Sequence, residues 1–399
     1  MEPRQENPFI VGDWIKEDKD FIGRTHLIDY FLSLQRPHNW LIGSRRMGKT
    51  SLLRFLQRRF RERPDTLCLF WDVSGTGDLS DLRDSFVDGL ESAADDFSRR
   101  NIHFNADELA DKPLTALLRW LIRLTLKEEF RLILLIDESE ALFNLFAQDL
   151  NFQIKLTKLL ANAPQCHIIM ASNHGLQSYD PLNHDHLLSP FLQNIGPPKY
   201  LTAWNEEEAN TLTVRCTNKR DEQTTMFHWT GGLPFLVQML CFYYNETGSL
   251  TAAEERIRQE HMLDLFFRYD MDHLDITSGR MLGFLSHVQR LDEEAAGKIH
   301  QAEPEWRQRL FILVQLGFVK SDEFGRLSIS NTFFQQWLQS AYGPEMDADA
   351  AKMSEKQKCI LLQVQKKALL VHDEWCEKSA HASEGNASTD PFGSLRAIP

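Results

Sequence analysis

Between residues 25 and 172, short uninterrupted apolar runs alternate with stretches whose apolar residues recur every three or four positions. The second kind of pattern builds one buried face on a helix, and the first suits a strand buried on both sides. Thr25 to Leu34 carries Leu27, Ile28, Phe31 and Leu32 on one stripe and predicts a helix. Asn39 to Gly43 predicts a strand, Thr50 to Arg63 a helix with leucines and phenylalanines inward and arginines outward, and Thr66 to Trp71 a strand. Helices are expected over Leu79–Arg100, Leu114–Phe130 and Leu150–Ala161, and further strands over Leu132–Ile136 and His167–Met170. This alternation predicts an α/β fold whose parallel sheet is covered by helices on both faces.

After Pro197-Pro198 the strands thin out. Asn205 precedes an expected helix, Glu206–Cys216, as a capping residue, and Phe235–Tyr244 is an apolar helix after the break at Gly231-Gly232-Leu233-Pro234. Helices from Thr277 run into Gly317–Lys320 and Arg326–Ile329, the order of a winged helix with its hairpin. The expected organisation is a nucleotide-binding domain over residues 1–200, with a lead-in over 1–24, a helical lid over 201–276, a winged-helix domain over 277–342 and a tail over 343–399. The tail carries an amphipathic helix, about Ser354 to Lys378, before a Ser/Gly/Asn-rich end.

Composition narrows the setting. The chain has 399 residues, a net charge of −13 and 42% apolar residues, which fits a folded protein of more than one domain and argues against indiscriminate nucleic-acid binding by the whole surface. No apolar run approaches the length of a membrane span, and the polar first residues show no secretory signal. Its six cysteines are scattered without a Cys-x-x-Cys pair, which points to a reducing, cytoplasmic compartment and no zinc site. The arginines from Arg45 to Arg63 form a basic face, either solvated and paired with acids such as Asp65 or turned to a partner.

Candidate chemistry begins at Gly43-Ser44-Arg45-Arg46-Met47-Gly48-Lys49-Thr50, followed by Ser51, between an expected strand and an expected helix. That is a P-loop in its proper context: the glycines let successive N–H groups face a phosphate, Lys49 reaches the β- and γ-phosphates, and Thr50 is a ligand for Mg²⁺. Asp137-Glu138 ends the strand Leu132–Ile136, so Asp137 is the second metal-side residue and Glu138 the base for an attacking water. Asn173, with Ser172 as the alternative, ends the next strand and is the candidate to sense the γ-phosphate. No arginine lies between Arg131 and Arg215, where ring ATPases usually place an arginine finger; this predicts slow turnover or an outside donor.

Asn7–Gly12, Phe21-Ile22-Gly23-Arg24, the P-loop, Asp137-Glu138 and Gly232-Leu233-Pro234 together resemble STAND-type P-loop ATPases, in the AAA-like, archaeal-ATPase branch that is also similar to replication-origin initiator ATPases. The resemblance, over roughly residues 7–340, implies that Phe21, Ile22, Gly23 and Arg24 surround the adenine, that Pro234 packs on it, and that ATP and Mg²⁺ are the cofactors. Thr25 stands where that family most often has Glu. The expected function is an ATP/ADP switch with slow hydrolysis, acting in signalling or defence through a protein partner or self-association of the lid, winged helix or C-terminal helix. The alternative is a DNA-associated ATPase, of initiator or transposition-helper type, that binds DNA with the winged helix. No membrane role is expected.

Overall fold

A computed structural model describes residues 7–173, 195–259, 261–288 and 305–342. Packing divides the chain into two units, the first made of residues 1–224 and 232–257, the second of 225–231 and 258 onward. The expected tail helix and the segment 174–194 lie outside the described residues.

The first unit is built on a five-stranded sheet of β1 (His38–Ile42), β2 (Thr66–Asp72), β3 (Arg131–Asp137), β4 (Cys166–Ser172) and β5 (Lys199–Tyr200). The strands lie in the order β2-β3-β4-β1-β5 and all pair in parallel. Four of them are the strands expected from the sequence, each within a residue or two. The two-residue β5 is too short to carry a periodic signal. The chain crosses from β1 to β2 in one direction and returns through β3 and β4 in the other. Right-handed crossovers then put α2 (Lys49–Arg61) on one face of the sheet. They put α3 (Leu79–Ser98), α4 (Ala106–Ala110), α5 (Leu114–Lys127), α6 (Glu140–Gln148) and α7 (Leu150–Ala161) on the other. Burial agrees. Leu69, Trp71, Leu134, Ile136, Ile168 and Met170 share one cluster with Phe86, Leu117, Leu121 and Phe143. The alternate residues Phe70, Ile133, Leu135 and Ile169 are equally buried, and α2 lies against β2, β3 and β4 with Leu52, Leu53, Leu56 and Phe60 buried. The fold class expected from the sequence, a P-loop NTPase sheet covered on both faces, is therefore the one observed.

One glycine sets the distance between layers. Gly89 of α3 lies so close to β2 that a Cβ there would stand 2.9 Å from the Phe70 carbonyl oxygen. Backbone cannot yield as a side-chain tip can. Gly89→Ala is expected to destabilise the protein by about 1–3 kcal/mol despite alanine's better helix propensity, read as a lower midpoint in urea.

The arginine face is largely engaged. Arg58 and Arg59 pair with Asp18 at 2.6 and 3.2 Å, Arg61 pairs with the buried Asp96, and the Arg54 guanidinium lies 3.4 Å from the Phe70 ring centre. Asp65 pairs with Arg131 instead, at 3.6 Å. Before the sheet comes α1 (Thr25–Leu32). After it come α8 (Glu206–Thr213), capped reciprocally by Asn205 and Glu208, then α9 (Arg220–Thr230), α10 (Pro234–Thr247), with proline in its first turn, and α11 (Leu250–Gln259). Helix α8 stops at Thr213, short of the expected Cys216.

The second unit contains α12 (His261–His273), α13 (Ile276–Val288), α14 (Glu305–Gln315), an antiparallel hairpin of β6 (Val319–Ser321) and β7 (Leu327–Ile329), and α15 (Thr332–Tyr342). Phe267, Phe334 and Trp337 form its aromatic centre, with Phe267 and Phe334 rings 4.9 Å apart. Arg309 of α14 pairs with Asp275 at 3.6 Å.

Candidate nucleotide site

Strand order makes the site. Because β4 lies between β3 and β1, the C-terminal ends of the three strands bring Asp137-Glu138, Asn173 and the P-loop to one edge of the sheet. Such edges are where open α/β sheets bind ligands.

The P-loop leaves β1 at Gly43, whose N–H donates to the Ser172 carbonyl at 3.2 Å. Met47 N–H closes a turn onto the Ser44 carbonyl at 3.3 Å. Arg46 and Gly48 take positive φ, +60° and +95°, and Gly48 is the N-cap of α2, in a left-handed conformation that glycine adopts without Cβ strain. The helix N-terminus therefore opens on the loop, where its free N–H groups favour an anion. Gly43 and Ser44 are buried behind the loop.

Lys49 is buried and its ammonium donates to the carbonyls of Gly43 and Ser44 at 3.1 and 3.4 Å and to Asn173 Oδ1 at 2.5 Å. Asn173 Nδ2 donates to Glu138 Oε2 at 2.9 Å. The amide orientation is dictated, since an ammonium only donates and a carboxylate only accepts. Glu138 has φ +51°, a strained angle for a residue with a side chain, and such strain collects at functional sites. The Thr50 hydroxyl donates to Asp137 Oδ2 at 2.6 Å, and Glu138 N–H to Asp137 Oδ1 at 3.1 Å. Burial pushes the Asp137 carboxyl up to about 6, against the lowering effect of Thr50 and Lys49. A buried carboxylate beside a hydroxyl, short of positive charge, suits a hard divalent cation, so Thr50 and Asp137 fit Mg²⁺.

In front of this cluster lies a cavity of about 400 Å³. Its walls include Arg45, Arg46, Met47, Gly48, Lys49, Thr50, Ser51 and Glu138, and also Phe21, Ile22, Arg24 and Pro234. Asp137 and Asn173 stand behind the wall rather than in it, as do Gly43, Ser44 and Gly23. Gly23 backs onto Glu208, with φ +68°. Arg24 does more than border the cavity. Its buried guanidinium donates to the Thr202 carbonyl and, at 3.4 Å, to the Met47 carbonyl in the P-loop, while its N–H donates to Glu208 Oε1 at 3.0 Å. Burial lowers its pKa to about 10, leaving it charged. The residue after Arg24 is Thr25 rather than an acid, and Glu208 of α8 supplies the carboxylate to this turn.

Several lining residues were not singled out from the sequence: Ile10, Gly12, Asp13, Trp14, Ile15 and Asp20 of the lead-in, Trp204, Phe235 and Gln238. The lead-in is tied down by Ile10 N–H to Gln238 Oε1 at 3.1 Å and Ile15 N–H to Ser51 Oγ at 3.1 Å. Phe235 carries the Arg46 guanidinium 4.1 Å from its ring centre. Glu140 was also missed: its Oε1 accepts from Asn173 N–H.

Comparison with known proteins agrees with this geometry. Residues 34–179 match a family described as an AAA domain. A Walker-type ATPase of Pyrococcus abyssi shares the fold with a TM-score of 0.62 at 16% identity, covering 82% of this chain and 98% of that one. Weaker matches are the ORC2 protein of Aeropyrum pernix in complexes with ADPNP and ADP, TM-score 0.49, 14% identity, 81% and 97% covered, and AMPPCP-bound DnaA from Aquifex aeolicus, TM-score 0.40, 12% identity, 90% and 92% covered. No curated protein matches the sequence. The chain thus has a P-loop ATPase fold, and its residues 34–179 are similar to an AAA domain. Among the described residues, no helix is long and apolar enough to cross a membrane.

Proposed function

We propose that the protein binds ATP in this cavity and hydrolyses it slowly with Mg²⁺. The observation that carries the reading is the single Asn173 amide joining Lys49 to Glu138, one residue beyond a strand that separates the P-loop from the acidic pair. In the proposed mechanism Lys49 and the P-loop N–H groups hold the β- and γ-phosphates. Thr50 and Asp137 hold Mg²⁺, which supplies charge neutralisation at the phosphates. Asn173 Oδ1 and Lys49 part as the γ-phosphate takes the ammonium. Glu138, still oriented by Asn173 Nδ2, positions the attacking water and accepts its proton. Phe21, Ile22 and Pro234 form the base end of the cavity, and Arg24 braces the loop from beneath. The missing arginine between Arg131 and Arg215 supports slow intrinsic turnover.

The STAND assignment and the division at residues 200, 276 and 342 rest on the sequence motifs. A role in signalling or defence has no support in the fold or in the comparisons. The DNA-associated alternative has one observation in its favour. The hairpin between α14 and α15 follows the winged-helix order. At its tip it exposes Phe324, 67% accessible, with the Arg326 guanidinium 4.8 Å from the ring centre. Apolar side chains inserted between base steps are a common way to enter the minor groove, and here the neighbouring Arg326 is paired with Asp322 at 2.7 Å.

ATP turnover measured with Mg²⁺, with excess chelator, and with double-stranded DNA at low and high salt tests both parts. Hydrolysis is expected with Mg²⁺ and none with chelator. Turnover that rises with DNA at low salt, and loses the rise at high salt, is expected of the DNA-associated ATPase. Absence of hydrolysis under every condition would sink the catalytic reading, and indifference to DNA the second.

A further inference from the structure

Asn173 is the first residue past the β1–β4 ladder, which ends at the pair Ile42 and Ser172. Its N–H therefore has no strand to donate to, yet the residue is buried. The carboxylate of Glu140, the first residue of α6, accepts that N–H. The other carboxylate oxygen of Glu140 is buried without a hydrogen-bond partner, so the hold on Asn173 is made through Oε1. Both side-chain bonds of Asn173, to Lys49 and to Glu138, start from the backbone position that this contact fixes. The bridge and the two groups it joins come from three elements: Lys49 opens α2, Glu138 follows β3, and Asn173 follows β4.

We propose, resting on the ATPase reading above, that Glu140 is the positioning residue of the hydrolytic site. It holds the Asn173 main chain and through it sets where the Glu138 carboxylate stands relative to the γ-phosphate. Glu140 does not line the cavity. Its loss should therefore slow the chemical step while leaving nucleotide affinity nearly intact. An acid in the first turn of a helix also favours the helix dipole, and that role alone predicts no change in turnover.

The test uses the full chain with Glu140→Gln, Glu140→Asp and Glu140→Ala, together with Asn173→Ala and the double variant Glu140→Ala/Asn173→Ala. The readouts are kcat and KM for ATP, affinity for a non-hydrolysable ATP analogue, and thermal melting. Gln keeps an acceptor at the same reach and is expected to retain kcat within about threefold, whereas Asp and Ala are expected to lose about ten- to a hundredfold, as for a catalytic group misplaced by about 1 Å. Analogue affinity is expected to stay within about threefold, and the double variant to be no slower than Asn173→Ala alone. Should the alanine variant fail to fold, the aspartate variant, which keeps the charge, decides the matter. The proposal is overturned by Asp and Ala variants as fast as the parent, by a Gln variant as slow as Ala, by analogue affinity falling in step with kcat, or by additive losses in the double variant. A parent without turnover would instead remove the ATPase reading on which the proposal stands, and the parent's own rate tells the two failures apart.

Discussion

Lys49→Ala is expected to reduce ATP affinity by at least about a hundredfold and to bring turnover to background. The ammonium is a buried positive charge at the P-loop, with Asn173 Oδ1 and two loop carbonyls as its partners. ATP would exchange these neutral acceptors for phosphate oxygens, and charge-assisted bonds of this kind contribute roughly 1.5–3 kcal/mol each. Two such bonds lost amount to about 3 kcal/mol or more, which is a factor of about a hundred or more in affinity. The variant also takes the Lys49 ammonium from the Gly43 carbonyl and the Asn173 amide oxygen in a buried place, so its melting point must be read beside its affinity. Titration of ATP by calorimetry, at a temperature where the variant is folded, is the measurement. Unchanged affinity would remove the nucleotide site from this cavity.

What the sequence made legible is what is local in the chain. The strands β1 to β4 each show as an uninterrupted apolar run because both faces are covered, and α7 was read to its observed limits, Leu150–Ala161, because Asp149 caps it and its leucines keep helical spacing. The P-loop and the Asp137-Glu138 pair are contiguous, so spacing alone exposes them. Contacts between distant residues left no such trace. The strand order that brings Asn173 between Lys49 and Glu138 has no signature in any window of sequence. Glu208 meeting Arg24, and Gln238 holding the lead-in, are single polar residues on helices, indistinguishable there from surface ones. Glu140 reads as an ordinary acid opening a helix. Arg24 reads as a neighbour of the base because only its place in a short motif was visible. Its buried bonds to Thr202 and Met47 make it a brace for the loop as well. The basic face misled in the opposite way: its partners Asp18 and Asp96 are acids that adjacency did not suggest.

Glu138→Gln is expected to lower kcat by about 10²- to 10⁴-fold, the range that a general base contributes, while ATP affinity stays within a few-fold. Glutamine matches glutamate in size and keeps an oxygen to accept from Asn173 Nδ2, so the amide bridge survives. What it loses is the ability to take a proton. Stability should not fall. Asp137, Glu138 and Glu140 crowd the end of β3, and the charge on Glu138 raises the pKa of both other acids. Removing that charge relieves repulsion, and a site that becomes more stable on losing its function is what clustered catalytic acids lead one to expect. The strained φ of Glu138 remains in the variant, so any gain in melting temperature isolates the charge. The measurement is a single-turnover assay with enzyme in excess, run beside a melting curve in Mg²⁺. Hydrolysis within about threefold of the parent would place the base elsewhere, since a true general base cannot be replaced by an amide at so small a cost. A slow variant that also melts lower would show Glu138 acting chiefly as a structural partner of Asn173, and the charge-relief argument would fall with it.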